Sequence, residues 1–302
     1  MALKDIKAKI LATKRMNTVT RAMEAVSAVK MRKTQEHAYL GRPYARAALA
    51  VLVRLSGTTD VKKHAFALPR EGTKKAIVIV TSDKGLAGGL NSSVIKRAVE
   101  SIGDRAKEDI TIFAYGKKGE EYFARRDFKI AKAILNKGDE VSLPEMEELA
   151  KELTAGFVSG EFDKVTVIYS HFKSTFEQVA TVRRLLPLSL PALTEIVEGI
   201  VPQKGKWSGE MNLMAPANYV TEPSGEHILD ILVPRLVAVS LYHMLLESKA
   251  SEHSARMVAM KNASDKSKEV ARDLTRVYNK VRQAAITREV SEIVSGREAL
   301  AT

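Results

Sequence analysis

The first candidate for chemistry is the run Thr81-Ser82-Asp83-Lys84-Gly85-Leu86-Ala87-Gly88-Gly89-Leu90-Asn91-Ser92. It follows a β-branched, apolar stretch and opens a helical pattern, which is where backbone N–H groups can cradle a phosphate. The glycine spacing, however, is neither G-x-G-x-x-G nor G-x-x-x-x-G-K-[ST]. The second strand ends in Tyr115-Gly116, where a dinucleotide site offers an acidic residue. We therefore read the run as a tight strand-to-helix turn.

Other reactive types are equally poor in partners. His243 and His253 are ten residues apart, too far for one metal on one helix, where i and i+4 are needed. Both fall on a helical seam and read as packed histidines. Ser170-His171 ends a strand without a nucleophile elbow or a neighbouring acid. Glu145, Glu147 and Glu148 suit the first turn of a helix, where carboxylates offset the macrodipole. With no cysteine, disulfides and thiolate chemistry are excluded. The reading assigns no catalytic residue, no cofactor and no metal.

The elements that carry these groups are legible from periodicity. Met1 to Leu40 contains no glycine or proline. Leu3, Ile6, Ile10, Thr13, Asn17 and Thr20 recur there at spacings of three and four. A second row, Met16, Val19, Met23 and Val26, has the same spacing and stays apolar. One helix of about 60 Å accounts for both, with Gly41 and Pro43 ending or bending it and Tyr44–Leu55 helical again. Its start at Leu3 shows no apolar signal region. Asp5, Glu24 and the unbroken pattern make it structural rather than a transit peptide.

Between Gly225 and Gly296 the only breaker is Pro234. A four–three alternation runs from Leu232 through Leu246, His253, Met260, Ser267 and Leu274 to Ala285. A sustained 3.5-residue spacing specifies a left-handed coiled coil on the order of 90–100 Å long, with the N-terminal helix as its antiparallel partner. No uninterrupted run approaches the roughly 18 apolar residues of a membrane span.

The middle alternates strand and helix. Strands are expected at Lys75–Thr81, Ile110–Tyr115, Lys129–Leu135 and Lys164–Ser170, with a last one near Glu177–Leu186. Helices are expected at Ser92–Lys107, Gly119–Arg126 and Pro144–Val158, the last with a Ser142/Glu145 capping box. The fold class is thus a Rossmann-like α/β domain inserted between the arms of a long antiparallel coiled coil. The boundaries are 1–56 for the N-terminal helix, 73–190 for the α/β domain, 191–226 for an irregular connection and 227–298 for the C-terminal helix.

The net charge of +12 is unevenly placed. Residues 1–42 carry +7, residues 235–302 carry +4, and the long middle only +1. Such an excess concerns partners more than fold. Lys7, Lys14, Arg15, Arg21, Lys30, Arg32 and Lys33 suit an anionic surface, and a helical-arm nucleic-acid-binding protein is the alternative reading. The scarcity of interleaved aromatics argues against nucleic acid.

Two strings carry a family resemblance. Asn17-Thr18-Val19-Thr20-Arg21-Ala22-Met23-Glu24-Ala25-Val26 resembles the N-terminal helix of the gamma subunits of F-type rotary ATP synthases. Ala250-Ser251-Glu252-His253-Ser254-Ala255-Arg256-Met257-Val258-Ala259-Met260-Lys261-Asn262-Ala263, followed by Tyr278-Asn279-Lys280-Val281-Arg282-Gln283-Ala284-Ala285-Ile286-Thr287, is similar to their C-terminal helix. The Gly85–Asn91 turn matches as well, with Ala87 where the family often has cysteine. The two-cysteine insertion of plastid relatives is absent.

The resemblance implies a non-catalytic central-stalk rotor subunit that couples proton- or sodium-driven c-ring rotation to ATP synthesis in the beta subunits. It implies alpha, beta, delta and epsilon subunits and the c-ring as partners, and no nucleic acid. It implies a peripheral position on the cytoplasmic face of a bacterial plasma membrane. Arg21, Met23, Arg256, Arg282, Gln283 and Thr287 are implied to meet the alpha/beta ring, and Tyr219, Glu222 and Pro223 the epsilon subunit or c-ring.

Overall fold

The computed structural model describes residues 3–40, 64–135, 140–188 and 225–301, with side chains for 3–38, 64–135, 140–188 and 227–297. The expected helix at Tyr44–Leu55 lies outside them. So does the connection expected over 191–226, except its last two residues. The chain divides into two units, Met1–Ser27 with Arg256–Thr302, and Ala28–Ala255.

The elements in chain order are α1 (Leu3–Leu40), β1 (Lys75–Val80), α2 (Leu90–Ile102), β2 (Ile110–Tyr115), α3 (Lys117–Ala124) and β3 (Lys129–Ile134). They are followed by α4 (Leu143–Ser159), β4 (Lys164–Phe172), β5 (Gln178–Leu186) and α5 (Gly225–Ala301).

In the Ala28–Ala255 unit a five-stranded sheet has the order β3-β2-β1-β4-β5. β1 to β4 are parallel and β5 pairs antiparallel with β4. The order dictates the layers. From β1 to β3 the chain steps one way, and the step to β4 returns past β1. Because parallel crossovers are right-handed, the returning helix must cover the opposite face. Accordingly α2 and α3 pack on Ile77, Ile79, Ile112 and Ile168, while α4 and the start of α5 pack on Val78, Val80, Val165 and Val167. Successive residues of β1 serve the two layers in turn.

Several element ends depart from the expected ones. α2 stops at Ile102, five residues before Lys107, because Gly103 turns to φ 61°. It starts at Leu90 instead of Ser92, and α3 lies two residues earlier than expected at both ends. The Ser142 cap forms as expected, its hydroxyl accepting from Glu145 N, with Pro144 in the first turn. β4 and β5 are both nine residues long.

Among the described residues one helix is long and apolar enough to cross a membrane, because α5 contains an 18-residue window of mean hydropathy 1.6. It differs from the expectation of no span, since polar residues interrupt the run and only the average reaches a spanning value. More than half of the window is buried. Leu229, Val233, Leu236, Val237, Leu241 and Leu245 join the core under the sheet, so this is a core helix by its packing.

In the unit of Met1–Ser27 with Arg256–Thr302, α1 and α5 pair antiparallel along the expected seam. Ile6, Thr20 and Ser27 are buried on α1, and Met260, Ser264, Ser267 and Ala271 on α5. Asn17 Nδ2 donates to the Ser264 carbonyl at 2.6 Å and to its hydroxyl at 2.9 Å. A polar layer of this kind fixes register at some cost in stability. Fourteen residues before Asn17 is Leu3, and fourteen beyond Ser264 is Tyr278. Equal rise along both helices therefore sets the start of α1 level with Tyr278, and α5 continues beyond it as a single helix.

Two outcomes are expected. Asn17→Ala removes both seam hydrogen bonds and should cost about 1–2 kcal/mol in denaturant unfolding, whereas Ser264→Ala keeps the carbonyl bond and should cost less. Equal losses would mean that the carbonyl bond contributes nothing.

The second outcome concerns Lys75, 8% exposed, with Nζ on the Ser101 carbonyl and hydroxyl at 3.0 and 2.8 Å. Burial first, then Arg105 and Lys164, lowers its pKa to about 8. Between that value and the ordinary lysine range the unfolded chain holds a proton that the folded chain has released. Stability from this group therefore rises with pH across that window and is flat below it. The Tm of Lys75→Met minus that of the wild type should shrink from pH 7.5 to about 10. A constant difference would show that Lys75 ionises normally.

Candidate functional site

α1 offers two apolar rows to a seam that buries only one. The inner row is the one that turns polar, through Thr13 and Asn17 to Thr20. The outer row is wholly apolar, yet Met16, Val19 and Val26 are 59%, 57% and 55% exposed. Met23, in the same row, is half-buried, and Arg21 beside it is exposed. A monomer gains nothing by placing its more apolar row outward, and such rows mark contact surfaces.

The single-helix end of α5 repeats the pattern. Arg282, Gln283 and Thr287 are exposed, as are Ile286, Val290, Ile293 and Val294. Thr287 Oγ1 donates to the Gln283 carbonyl at 3.0 Å, so that hydroxyl turns its lone pairs outward as an acceptor. Arg282 offers its planar donor fork, and Gln283 can both donate and accept. Arg256 differs from these three. It is only 8% exposed, so its guanidinium is enclosed within this chain. Tyr219, Glu222 and Pro223 lie outside the described residues.

Between the paired helices runs a groove of about 590 Å³ lined by Lys14, Asn17 and Thr18 of α1 and by Lys268, Ala271, Arg272, Thr275, Arg276 and Asn279 of α5. Four of the nine residues are cationic and none is acidic. Asp273 approaches Arg276 at 3.7 Å, but both are well exposed, so the pair is screened and weak. Lys14 is among the basic residues that the sequence marks on α1, whereas the other three cations carry a weaker signal. Their signal was spacing, because 268, 272 and 276 follow one another by four and share a helix face.

The glycine-rich turn closes on itself. Ser82 N donates to Asn91 Oδ1 at 2.9 Å, Asn91 Nδ2 to Ser82 Oγ at 2.7 Å, and Ser82 Oγ to the Lys84 carbonyl at 2.6 Å. The start of α3, beside it, is occupied as well. Lys117 N donates to Asp83 Oδ1 at 2.8 Å and Gly119 N to Thr81 Oγ1 at 2.8 Å. Gly116, at φ 95°, lies so close to Thr81 that a Cβ would strike its carbonyl. Amides that a phosphate would use at that helix start are thus held by the chain's own side chains.

His243 and His253 are both buried on α5. His171 does have an acidic partner, which the sequence did not reveal. Its Nδ1 is 2.8 Å from Glu247 Oε2, supplied by α5 from 76 residues away. The neighbouring Ser170 cannot complete a triad, because adjacent residues of β4 project to opposite faces.

Comparison with known proteins identifies the family. The ATP synthase family model matches residues 2–300. The chain is 41% identical to the ATP synthase gamma chain of Roseiflexus castenholzii, over 99% of this chain and 98% of that one. It is 37% identical to the gamma chain of Moorella thermoacetica, over 99% of both. Among solved structures it resembles a chain in the central stalk and c-ring assembly of the Tetrahymena thermophila mitochondrial ATP synthase, with TM-score 0.61 and 28% identity over 82% of this chain and 99% of that one. It shares its fold with a chain of the Euglena gracilis mitochondrial ATP synthase at TM-score 0.65 and 17% identity, over 99% of this chain and 94% of that one. A paired-helix stalk with an inserted α/β sheet, matched along its length by these relatives, places the chain in the gamma-chain family of ATP synthase.

Proposed function

We propose that this chain is the non-catalytic rotor of its ATP synthase, turning within a ring of alpha and beta subunits. The observation that carries the reading is the outward apolar row Met16–Val19–Met23–Val26 on a helix whose inner row is already satisfied. Beside it, the cationic groove suits an acidic segment of a surrounding subunit, and the end of α5 presents Arg282, Gln283 and Thr287 for hydrogen bonding. Identical catalytic sites can differ in state only if something asymmetric touches them differently, and a pair of unlike helices does so.

On this reading phosphate chemistry stays in the beta subunits, and ion flow through the c-ring, of protons or sodium ions, drives the rotation. Delta and epsilon subunits complete the sector, with Tyr219, Glu222 and Pro223 toward epsilon or the c-ring. The complex would work at the cytoplasmic face of a bacterial plasma membrane.

The test is assembly with alpha and beta subunits, followed by ATPase and ATP-driven ion pumping in the same vesicles. Combined Arg282→Ala and Gln283→Ala should keep helical content and unfold within about ±0.5 kcal/mol of the parent, as exposed substitutions do. Assembly should weaken, and turnover or ions moved per ATP should fall. Unchanged assembly, turnover and pumping would reduce these residues to a solvated face. The isolated chain should also show no saturable ATP or NAD binding by calorimetry at millimolar ligand. Micromolar binding abolished by Gly88→Val would return the glycine turn to candidacy as a site, and salt-tolerant RNA binding would favour the nucleic-acid reading.

A further inference from the structure

α5 is attached to the sheet in two chemically different ways. From Leu229 to Leu245 its contacts are mainly apolar, with one polar contact near the start, Asp230 Oδ1 at 3.2 Å from His64 Nε2. Just beyond, Glu247, Ser251 and Ser254, spaced four and three along one stripe, are held by hydrogen bonds to the β4–β5 hairpin. Glu247 Oε2 lies 2.8 Å from His171 Nδ1. Ser251 Oγ donates to the Ser170 carbonyl at 3.0 Å, and Ser254 Oγ to the Thr175 carbonyl at 2.6 Å. β1 pairs with β4 only as far as Ile168, so among the described residues the hairpin beyond it has no ladder partner on that side, and α5 lies against it there.

The hairpin end is itself firmly tied. Ser174 Oγ accepts from Glu177 N at 3.1 Å, Gln178 Nε2 donates to the Thr175 carbonyl at 3.0 Å, and Lys173 pairs with Glu177 at 2.9 Å. Both sides of the attachment are therefore fixed structures.

The difference in chemistry has a mechanical meaning. Apolar burial is non-directional, so a helix can turn on an apolar bed by exchanging one contact for another. Hydrogen bonds weaken steeply as their angle closes. A turn of α5 about its own axis therefore strains all three polar rungs together while costing the apolar bed little.

We infer that the Glu247–Ser251–Ser254 stripe and the β4–β5 hairpin form a clasp that fixes the angular setting of α5 on the sheet and carries turning force between the α/β unit and this helix. The inference rests on the rotor reading above. Glu247, Ser251 and Ser254 are positioning residues in it, acting through geometry rather than chemistry.

The experiment uses the chain assembled with its alpha and beta subunits, the ring immobilised and stalled by nucleotide. A bead is attached at Arg97→Cys, an exposed position on α2 and the only cysteine in the chain. The width of the bead's angular fluctuation reports torsional stiffness. Combined Ser251→Ala and Ser254→Ala removes two rungs without changing volume appreciably, and should raise the angular variance by about twofold or more. Ser254→Ala alone should give a smaller rise, and Glu247→Gln, which keeps an acceptor for His171, should leave the width as in the parent. Leu241→Ala, a cavity in the apolar bed of the same helix, should lower the Tm yet leave the width unchanged. An unaltered width in the double serine variant would overturn the inference, as would equal widening from Leu241→Ala. Failure of the parent chain itself to assemble with the ring would instead remove the rotor reading, and the clasp with it.

Discussion

A pair of helices joined by a heptad seam can bury one row of side chains from each partner and no more. In the paired-helix unit that row is spent on Ile6, Thr20 and Ser27 against Met260, Ser264, Ser267 and Ala271. The seam is unusually polar for its role, since threonine, serine and asparagine hold its centre. It is secured by directional bonds such as Asn17 to Ser264 as much as by burial. Everything notable about the surface follows from that allocation. The fully apolar row of α1 is turned outward, the cations of both helices line the groove between them, and α5 outruns its partner.

The α/β unit obeys a different constraint, the handedness of its crossovers. Once β4 returns past β1, helices must occupy both faces, and the edge strand β5 can enter only from a hairpin. The loops at the ends of β1 and β2 are where such folds place nucleotides. Here Thr81 and Asp83 cap the start of α3, while Asn91 and Ser82 close the turn. The architecture of a nucleotide-binding fold is present, with these groups tied to one another.

Much of this was legible in the sequence because periodicity is a backbone-level signal. The four–three rows of both long helices, the five strands and the Ser142 cap each depend on neighbours a few residues apart. The orientation of α1 was legible only through the family resemblance, which sets Thr13, Asn17, Ser264 and Ser267 on the seam, and not from hydrophobicity. Its two rows share one spacing, and hydrophobicity alone would bury Met16–Val26 and expose Thr13, Asn17 and Thr20, the reverse of what is found. That failure is informative, because sequence rules for an isolated fold break where another molecule supplies the missing contact. The His171–Glu247 pair was hidden for a plainer reason: its members are 76 residues apart, and only the tertiary fold brings them together. The early stop of α2 was signalled by Gly103, a helix-ending glycine that the expected end at Lys107 ran past.

The stretch of α5 beyond Tyr278 has a consequence for the life of the unassembled chain. Most helical stability in proteins comes from tertiary packing, and this stretch, which carries Lys280, Arg282, Arg288 and Arg297, is largely exposed. Opening of a few turns there disturbs neither the seam nor the sheet, so a trypsin-like protease can trim it while the rest of the subunit stays folded.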